Sequence, residues 1–298
     1  MLQVNLPPGL DGSRLAYLRE PCAKDELGCA DTRPWTASYL IDGLLVQGLD
    51  APLGPQTVWT LPLSDRDRLV AALHQHCFGD AIESTLTCTS CQQRYELRFS
   101  LQALLDDTDE RAREAHRRLR EGGRLDGPGF EAEGALLRAA PTREAAASPH
   151  LVYEFGAGLR FRAPVADDER ALAQSEQADG SWLLERCLVR EAKQGGPQLG
   201  TAEIQLLEQA LDQLAPILSL QLEAQCTECQ AVQQAHFDMA GYFLAQLSRE
   251  RPLLIREIHC LARAYGWSHS EILELPRSLR QAYVALVLGE SEPEELWS

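Results

Sequence analysis

The stretch "LTCTSCQQRYEL", residues 86–97, places Cys88 and Cys91 in a Cys-x-x-Cys pair between two strand-like runs. A hairpin carrying such a pair at its turn is half of a zinc ribbon. The other half lies at "AQCTECQAV", with Cys226 and Cys229. Both pairs are embedded in collinear copies of one pattern. At an offset of 138 residues (Cys88 to Cys226), "CTSCQ" overlays "CTECQ" and Phe99 meets Phe237. On that offset Leu101 meets Met239, while Leu69, Ala72 and Leu73 meet Leu207, Ala210 and Leu211. Upstream the offset becomes 143 (Leu18 to Phe161): "LREPCAKDE" (18–26) overlays "FRAPVADDE" (161–169), and "YLIDGLLV" (39–46) overlays "WLLERCLV" (182–189). The second copy is therefore five residues shorter between Val46 and Leu63.

Each copy reads alike. A strand or strand pair ("RLAYLRE"; "LVYEFGAGLRFRA") leads to Pro-x-Ala-x-Asp-Glu, a helix start with acidic first-turn residues. A helix follows ("TASYLIDGLLV"; "SWLLERCLVRE"), then a second helix capped by Ser64 or Thr201. In the latter Ile204, Leu207, Leu211 and Leu214 recur at helical spacing, and Leu218, Leu220 and Leu222 then share one strand face. The predicted fold is α+β. An internally duplicated domain, two helix plus β-hairpin copies about a pseudo-twofold axis, is joined through a zinc-ribbon-like four-cysteine site. A small C-terminal helical unit follows. The expected segments are 1–105 (first copy), 106–150 (charged helix and flexible linker), 151–247 (second copy), 248–289 (three-helix unit) and 290–298 (acidic tail).

Cys88, Cys91, Cys226 and Cys229 supply four thiolates, the closed tetrahedral set of structural zinc. Two readings compete. A redox pair wants Cys-x-x-Cys at a helix N-terminus, whereas β-like sequence follows each pair here. A vestigial, metal-free site is the other. Catalytic zinc needs an open position, which four cysteines do not leave. His74, His76 and Cys77 read as the end of an amphipathic helix, and His236 as a strand surface residue. Cys22, Cys29, Cys187 and Cys260 read as small buried apolar side chains.

The chain has 298 residues, 45% apolar, and a net charge of −16. That balance argues against binding nucleic acid or an anionic membrane. No run approaches the ~20 apolar residues of a membrane helix, and "MLQVNLPPGLDGS" lacks the n- and h-regions of a signal peptide. A cytoplasmic setting is expected, where nine cysteines suit metal or burial better than a disulfide framework. No triad order, phosphate loop or poised carboxylate pair is legible, so no enzyme activity and no small-molecule substrate are expected.

Within 106–150, "DDTDERAREAHRRLREGG" reads as a charged surface helix, and the Gly-, Ala- and Pro-rich remainder as a connector. After the second copy, Pro252 is expected to open a helix with Leu254, Ile258, Leu261 and Tyr265 on its inner face. Ser268-x-x-Glu271 forms a capping box for a short helix, and Pro276 starts a third, with Leu279, Tyr283 and Leu286 inward and Trp267 at the centre of the unit.

This last segment, "LLIREIHCLARAYGWSHSEILELPRSLRQAYVALV", resembles a C-terminal signature of phage-type baseplate proteins. These are encoded with myovirus contractile tails and extracellular contractile injection systems. Members also carry Cys-x-x-Cys pairs and open with a segment like Leu18–Glu26. The family pattern has a His before the Trp; Gly266 stands there, so no role for that His carries over. The resemblance implies a non-enzymatic baseplate component or assembly chaperone that contacts hub or spike proteins. Arg256, Arg277, Arg280, Trp267 and Tyr283 are its expected docking residues. The tail "GESEPEELWS" is expected to be disordered, or to dock through Trp297. The alternative function is a thiol–disulfide redox protein using the Cys-x-x-Cys pairs.

Overall fold

The computed structural model describes residues 1–9, 12–29, 31, 33–46, 57–121, 125, 137–139, 152–155, 159–175, 180–189 and 200–289. The chain opens with an antiparallel hairpin, β1 (Leu2–Gly9) and β2 (Gly12–Leu18). Alternation buries Val4, Leu6, Ala16 and Leu18 on one face. Helices α1 (Ala23–Gly28) and α2 (Pro34–Leu44), a 3-10 turn at Thr57–Thr60 and α3 (Leu63–Phe78) follow. The first cysteine hairpin is β3 (Ala81–Thr87) and β4 (Arg94–Ser100), and α4 (Leu101–Arg120) leaves it.

The second half repeats this order. A three-stranded sheet, β5 (Leu137–Ala139), β6 (Val152–Phe155) and β7 (Leu159–Arg162), precedes α5 (Ala166–Gln174), α6 (Gly180–Cys187) and α7 (Thr201–Leu214). Hairpin β8 (Ser219–Gln225) and β9 (Val232–Asp238) runs into α8 (Met239–Tyr265). Two short helices, α9 (His269–Leu273) and α10 (Arg277–Leu288), complete a fold of helices with small antiparallel sheets.

Contacts recur at the sequence offset. The Val46 N–H donates to Tyr17 O at 2.9 Å, as the Val189 N–H donates to Arg160 O at 2.8 Å. Asp25 and Asp168 reach back to the N–H groups of Cys22 and Val165, at 2.8 and 3.0 Å, capping α1 and α5. Each carboxylate is also gripped by an arginine: Arg19 at 2.6 and 2.8 Å, Arg162 at 2.5 and 3.0 Å.

These grips set an acid dependence. Burial acts to raise the Asp168 carboxyl, but the Arg162 pair, the Val165 N–H and Arg186 outweigh it and hold it below the ordinary range. Its stabilisation is therefore present above the unfolded value near ~4 and lost as pH falls through the lower folded value. Asp168→Asn should cost roughly 2–3 kcal/mol at neutral pH, with the gap to wild type closing below about pH 3. Urea unfolding of both proteins across pH checks this; a gap independent of pH would refute it.

The halves interlock through their long helices. Helix α4 leaves the first hairpin but packs on α7 of the second half, and α8 leaves the second hairpin but packs on α3 of the first. The main core joins Leu6, Leu18, Ile41, Leu44, Leu69 and Leu73 to Phe243 and Leu244 of α8. The second core joins Tyr153, Phe161, Leu184, Leu207 and Leu211 to Ala115 and Leu119 of α4. Each fully buried large apolar side chain contributes about 1.5–3 kcal/mol, so the exchanged helices make each core depend on both halves, more through Phe243 and Leu244 of α8 than through Ala115 and Leu119 of α4.

Several expectations are corrected. Helix α4 is not a surface helix: Thr108, Ala112, Ala115, His116 and Leu119 are buried. Its inner face mixes Leu101 and Leu119 with Thr108, Ala112, Ala115 and His116, a pattern without a strong apolar period, and His116 joins it to β6 through Tyr153 Oη at 3.0 Å. Pro252 does not open a helix but lies inside α8. Ser64 and Thr201 are not caps; Pro62 and Gly200 occupy those positions. On α10, Leu279 and Leu286 are exposed and Arg277 and Arg280 are buried instead. Tyr265 is 41% exposed rather than inward.

Candidate metal centre

The hairpins β3–β4 and β8–β9 bring both Cys-x-x-Cys turns to one place. The turns are built alike. Gln92 N–H donates to Cys88 O and Gln230 N–H to Cys226 O, both at 3.0 Å. Cys88 and Cys226 N–H donate to Gln93 O and Ala231 O, both at 2.9 Å. Each turn is closed by a glutamine in the left-handed region, Gln92 at φ 60° and Gln230 at φ 61°. Each pins itself by donating its side-chain amide to Thr89 O or Thr227 O, both at 3.1 Å. A non-glycine residue at positive φ is uncommon, and this one is repeated because the chain must double back immediately after the second cysteine.

The four sulfurs lie within 4.8 Å of one another. Cys88 Sγ is 3.7 Å from Cys229 Sγ, and Cys91 Sγ is 3.8 Å from Cys226 Sγ. Exchanging the copies (88 for 226, 91 for 229) turns one short contact into the other, a twofold-like arrangement. Phe99 and Phe237, equivalent at the 138 offset, likewise meet each other, with centroids 5.2 Å apart. A disulfide needs about 2.05 Å. Tetrahedral thiolates about 2.3 Å from a zinc ion sit about 3.8 Å apart. The residues therefore fit a tetrahedral metal ion and not a disulfide.

The surroundings favour thiolate at Cys88 and oppose it at Cys91. Backbone N–H groups of Cys91 and Ser90 point at the Cys88 sulfur and hold its thiol at about 6. Around Cys91, a Gln93 N–H is outweighed by burial and by the neighbouring cysteines, which push that thiol up to about 12. Without a cation the cluster cannot be fully ionised, because each thiolate raises the next. Cys88 and Cys226 are buried, Cys91 half-buried and Cys229 exposed. A thin apolar layer backs the site: Tyr95, Ala224 and Ala235, with Leu86, Leu97 and Ala231. A cross-brace joins the turns, Thr89 N–H donating to Gln233 Oε1 at 2.8 Å and Gln233 Nε2 to Thr87 O at 3.3 Å. Sequence reasoning missed Gln92, Gln230 and Gln233; the shared Gln after each Cys-x-x-Cys was the available signal for the first two.

The other candidates sort differently. Among the described residues no other cluster could hold a metal. His74 is ringed by Phe78, Tyr242 and Phe243, His76 faces Glu20 at 3.5 Å, and His236 is exposed on β9. Cys22, Cys29 and Cys187 are buried as expected, but Cys260 is only half-buried. Trp267 and Tyr283 form one aromatic cluster with Tyr265, their ring centroids 4.8 to 5.8 Å apart. Arg256 is exposed. Arg277 and Arg280 are not free for docking: they are 5% and 1% exposed and pair with Glu26. Trp297 lies outside the described residues. The face of α8 and α10 beside Arg256 and Cys260 forms a groove of about 800 Å³. Leu253, Ile255, Val287 and Leu288 line it and are exposed. No helix among the described residues is long and apolar enough to cross a membrane.

Comparison with protein-family models, curated proteins and solved structures finds no match.

Proposed function

We propose that this chain is a non-enzymatic component or assembly chaperone of a contractile-tail or contractile-injection-system baseplate, held together by one structural zinc ion and acting through protein–protein contacts. The observation that carries the structural role is the closed four-cysteine group between the hairpins: all four positions around an ion are filled by protein, so none is left for a substrate. Zinc fits better than harder cations because every donor is a thiolate. An internal duplication accounts for the matching turns, caps and strand registers of the halves. The baseplate reading rests on the resemblance of the C-terminal segment. The exposed apolar groove on α8 and α10 supports a partner there, since an apolar surface flanked by polar residues is typical of interaction sites. Assembly would proceed in the cytoplasm, on hub or spike subunits.

Co-expression with the subunits of a contractile particle tests this reading. Hub or spike proteins should co-purify with the wild type, and Ile255→Asp with Val287→Asp should reduce recovery at least about ten-fold, as loss of a buried anchor does. Recovery of no particle subunit, with turnover of a dithiol substrate, would put the thiol–disulfide reading first. That reading fits less well. Both cysteine pairs sit on hairpin turns, and the closest sulfurs belong to different pairs.

A further inference from the structure

One buried interaction occurs twice in this fold, between segments far apart in sequence. Helix α3 opens with Leu61-Pro62-x-Ser64-x-Arg66, and α10 opens with Leu275-Pro276-x-Ser278-x-Arg280. Each opening sits against one copy of Arg-x-Pro-x-x-x-Asp-Glu. Pro62 bridges Val165, and Pro276 bridges Cys22, both antiparallel. Leu63 N–H donates to Pro164 O at 2.9 Å, and Arg277 N–H to Pro21 O at 3.0 Å. Arg66 then grips Glu169 at 2.9 and 3.2 Å, and Arg280 grips Glu26 at 3.0 and 3.2 Å. Glu26 and Glu169 are equivalent at the 143 offset, as are Pro21 and Pro164. Both arginines are buried, at 3% and 1% exposure. The plug is thus a proline-fixed helix start with an arginine one turn on. The socket is a carbonyl beside a glutamate, buried at Glu26 and half-buried at Glu169, on a helix whose own start is clamped by Arg19–Asp25 or Arg162–Asp168.

The plugs run head to tail. The C-terminal unit fills the socket of the first copy, and the first copy fills the socket of the second. The second copy has Leu-Gly-Thr-Ala-Glu-Ile at 199–204, where the first has its plug, so it carries neither the proline nor the arginine. Head-to-tail contacts of this kind extend indefinitely unless an end is capped. Here one end lacks a plug, and the other is a plug carried by a helix pair. The flanking elements of the two plugs differ, so recognition resides in the six-residue motif. The C-terminal plug also has a natural pivot. Pro252 removes one backbone hydrogen bond inside α8, between Leu247 of the main core and Leu254 of the C-terminal cluster.

We infer that the socket formed by Arg19, Pro21, Asp25 and Glu26 is a recognition site for helices that open Leu-Pro-x-Ser-x-Arg, and that it takes this plug from a second polypeptide in exchange for the chain's own. This inference does not depend on the baseplate reading.

The test uses full-length protein and a fluorescein-labelled peptide of residues 274–288. Arg280→Ala loosens the resident plug while Arg277 stays on Glu26. It should bind the peptide at least about ten-fold more tightly than wild type, whose tethered plug competes at millimolar effective concentration. Unlabelled peptide 59–74, the first plug, should compete, and its Arg66→Ala form should not. Equal binding by wild type and a variant that keeps its metal, no binding by that variant, or no competition by peptide 59–74 would overturn the inference. Should the variant lose its metal and fold, wild type alone decides. Millimolar peptide 59–74 should speed amide exchange across Arg277–Leu288 about ten-fold, and unchanged exchange would overturn the inference.

Discussion

Cys88→Ser and Cys226→Ser are each expected to cause a severe loss of stability, and the two losses should be alike. Each leaves three thiolates around the ion, and each breaks one of the two short sulfur contacts between the hairpins. Binding of structural zinc is worth on the order of 10 kcal/mol and is realised as folding energy, because no preformed site exists in the unfolded chain. Little else holds the hairpin tips together. The backing layer is thin, with only Tyr95, Ala224 and Ala235 buried in it beside the cysteines, and the Gln233 brace is solvent-exposed. The bases remain joined at Phe99 and Phe237, so opening starts at the tips. Wild type should carry one zinc per chain by elemental analysis and lose thermal stability on chelation. Cys260→Ser, far from the site, should change neither. If only one of the two hairpin variants is impaired, the halves do not share an ion.

Arg66→Ala carries the second largest expected effect, about 3–5 kcal/mol, the cost of leaving buried charge without its partner. Arg66 is 3% exposed and pairs with both Asp67, at 2.8 Å, and Glu169, at 2.9 Å. Asp67 also accepts the Leu218 N–H at 2.8 Å, so the arginine indirectly positions the start of the second hairpin. Burial already holds both carboxyls above the ordinary range, with Arg66 opposing it. Removing the guanidinium raises them further. A raised folded value means stability that is present at low pH and lost as pH rises. The penalty in Arg66→Ala should therefore be largest near pH 7 and shrink toward pH 5. Chemical unfolding at both values measures it, and a constant penalty would mean that packing of the arginine stem matters more than its charge.

The sequence by itself determined the elements whose signals are local. Alternation around the Cys-x-x-Cys pairs specified both hairpins, and the four cysteines do converge. The helical spacing of Leu207, Leu211 and Leu214 specified a buried face that is present. The two offsets anticipated matched helix caps and turns, because segments that share their Pro, Asp and Cys positions have similar local energetics wherever they stand.

Only the tertiary structure decided which faces are inside. Alanine and histidine on α4 carry no strong apolar signal, and they are buried because α7 and β6 happen to lie against them. Pro252 costs α8 one hydrogen bond, yet the helix continues because both of its ends are packed, one in each cluster. Arg277 and Arg280 look like surface charge when read along α10. Their burial is compensated by Glu250 and Glu257 of α8 and by Glu26, which both arginines share and which lies some 250 residues earlier. The free energy of a charge depends on what surrounds it in space, and no local pattern records a partner that distant.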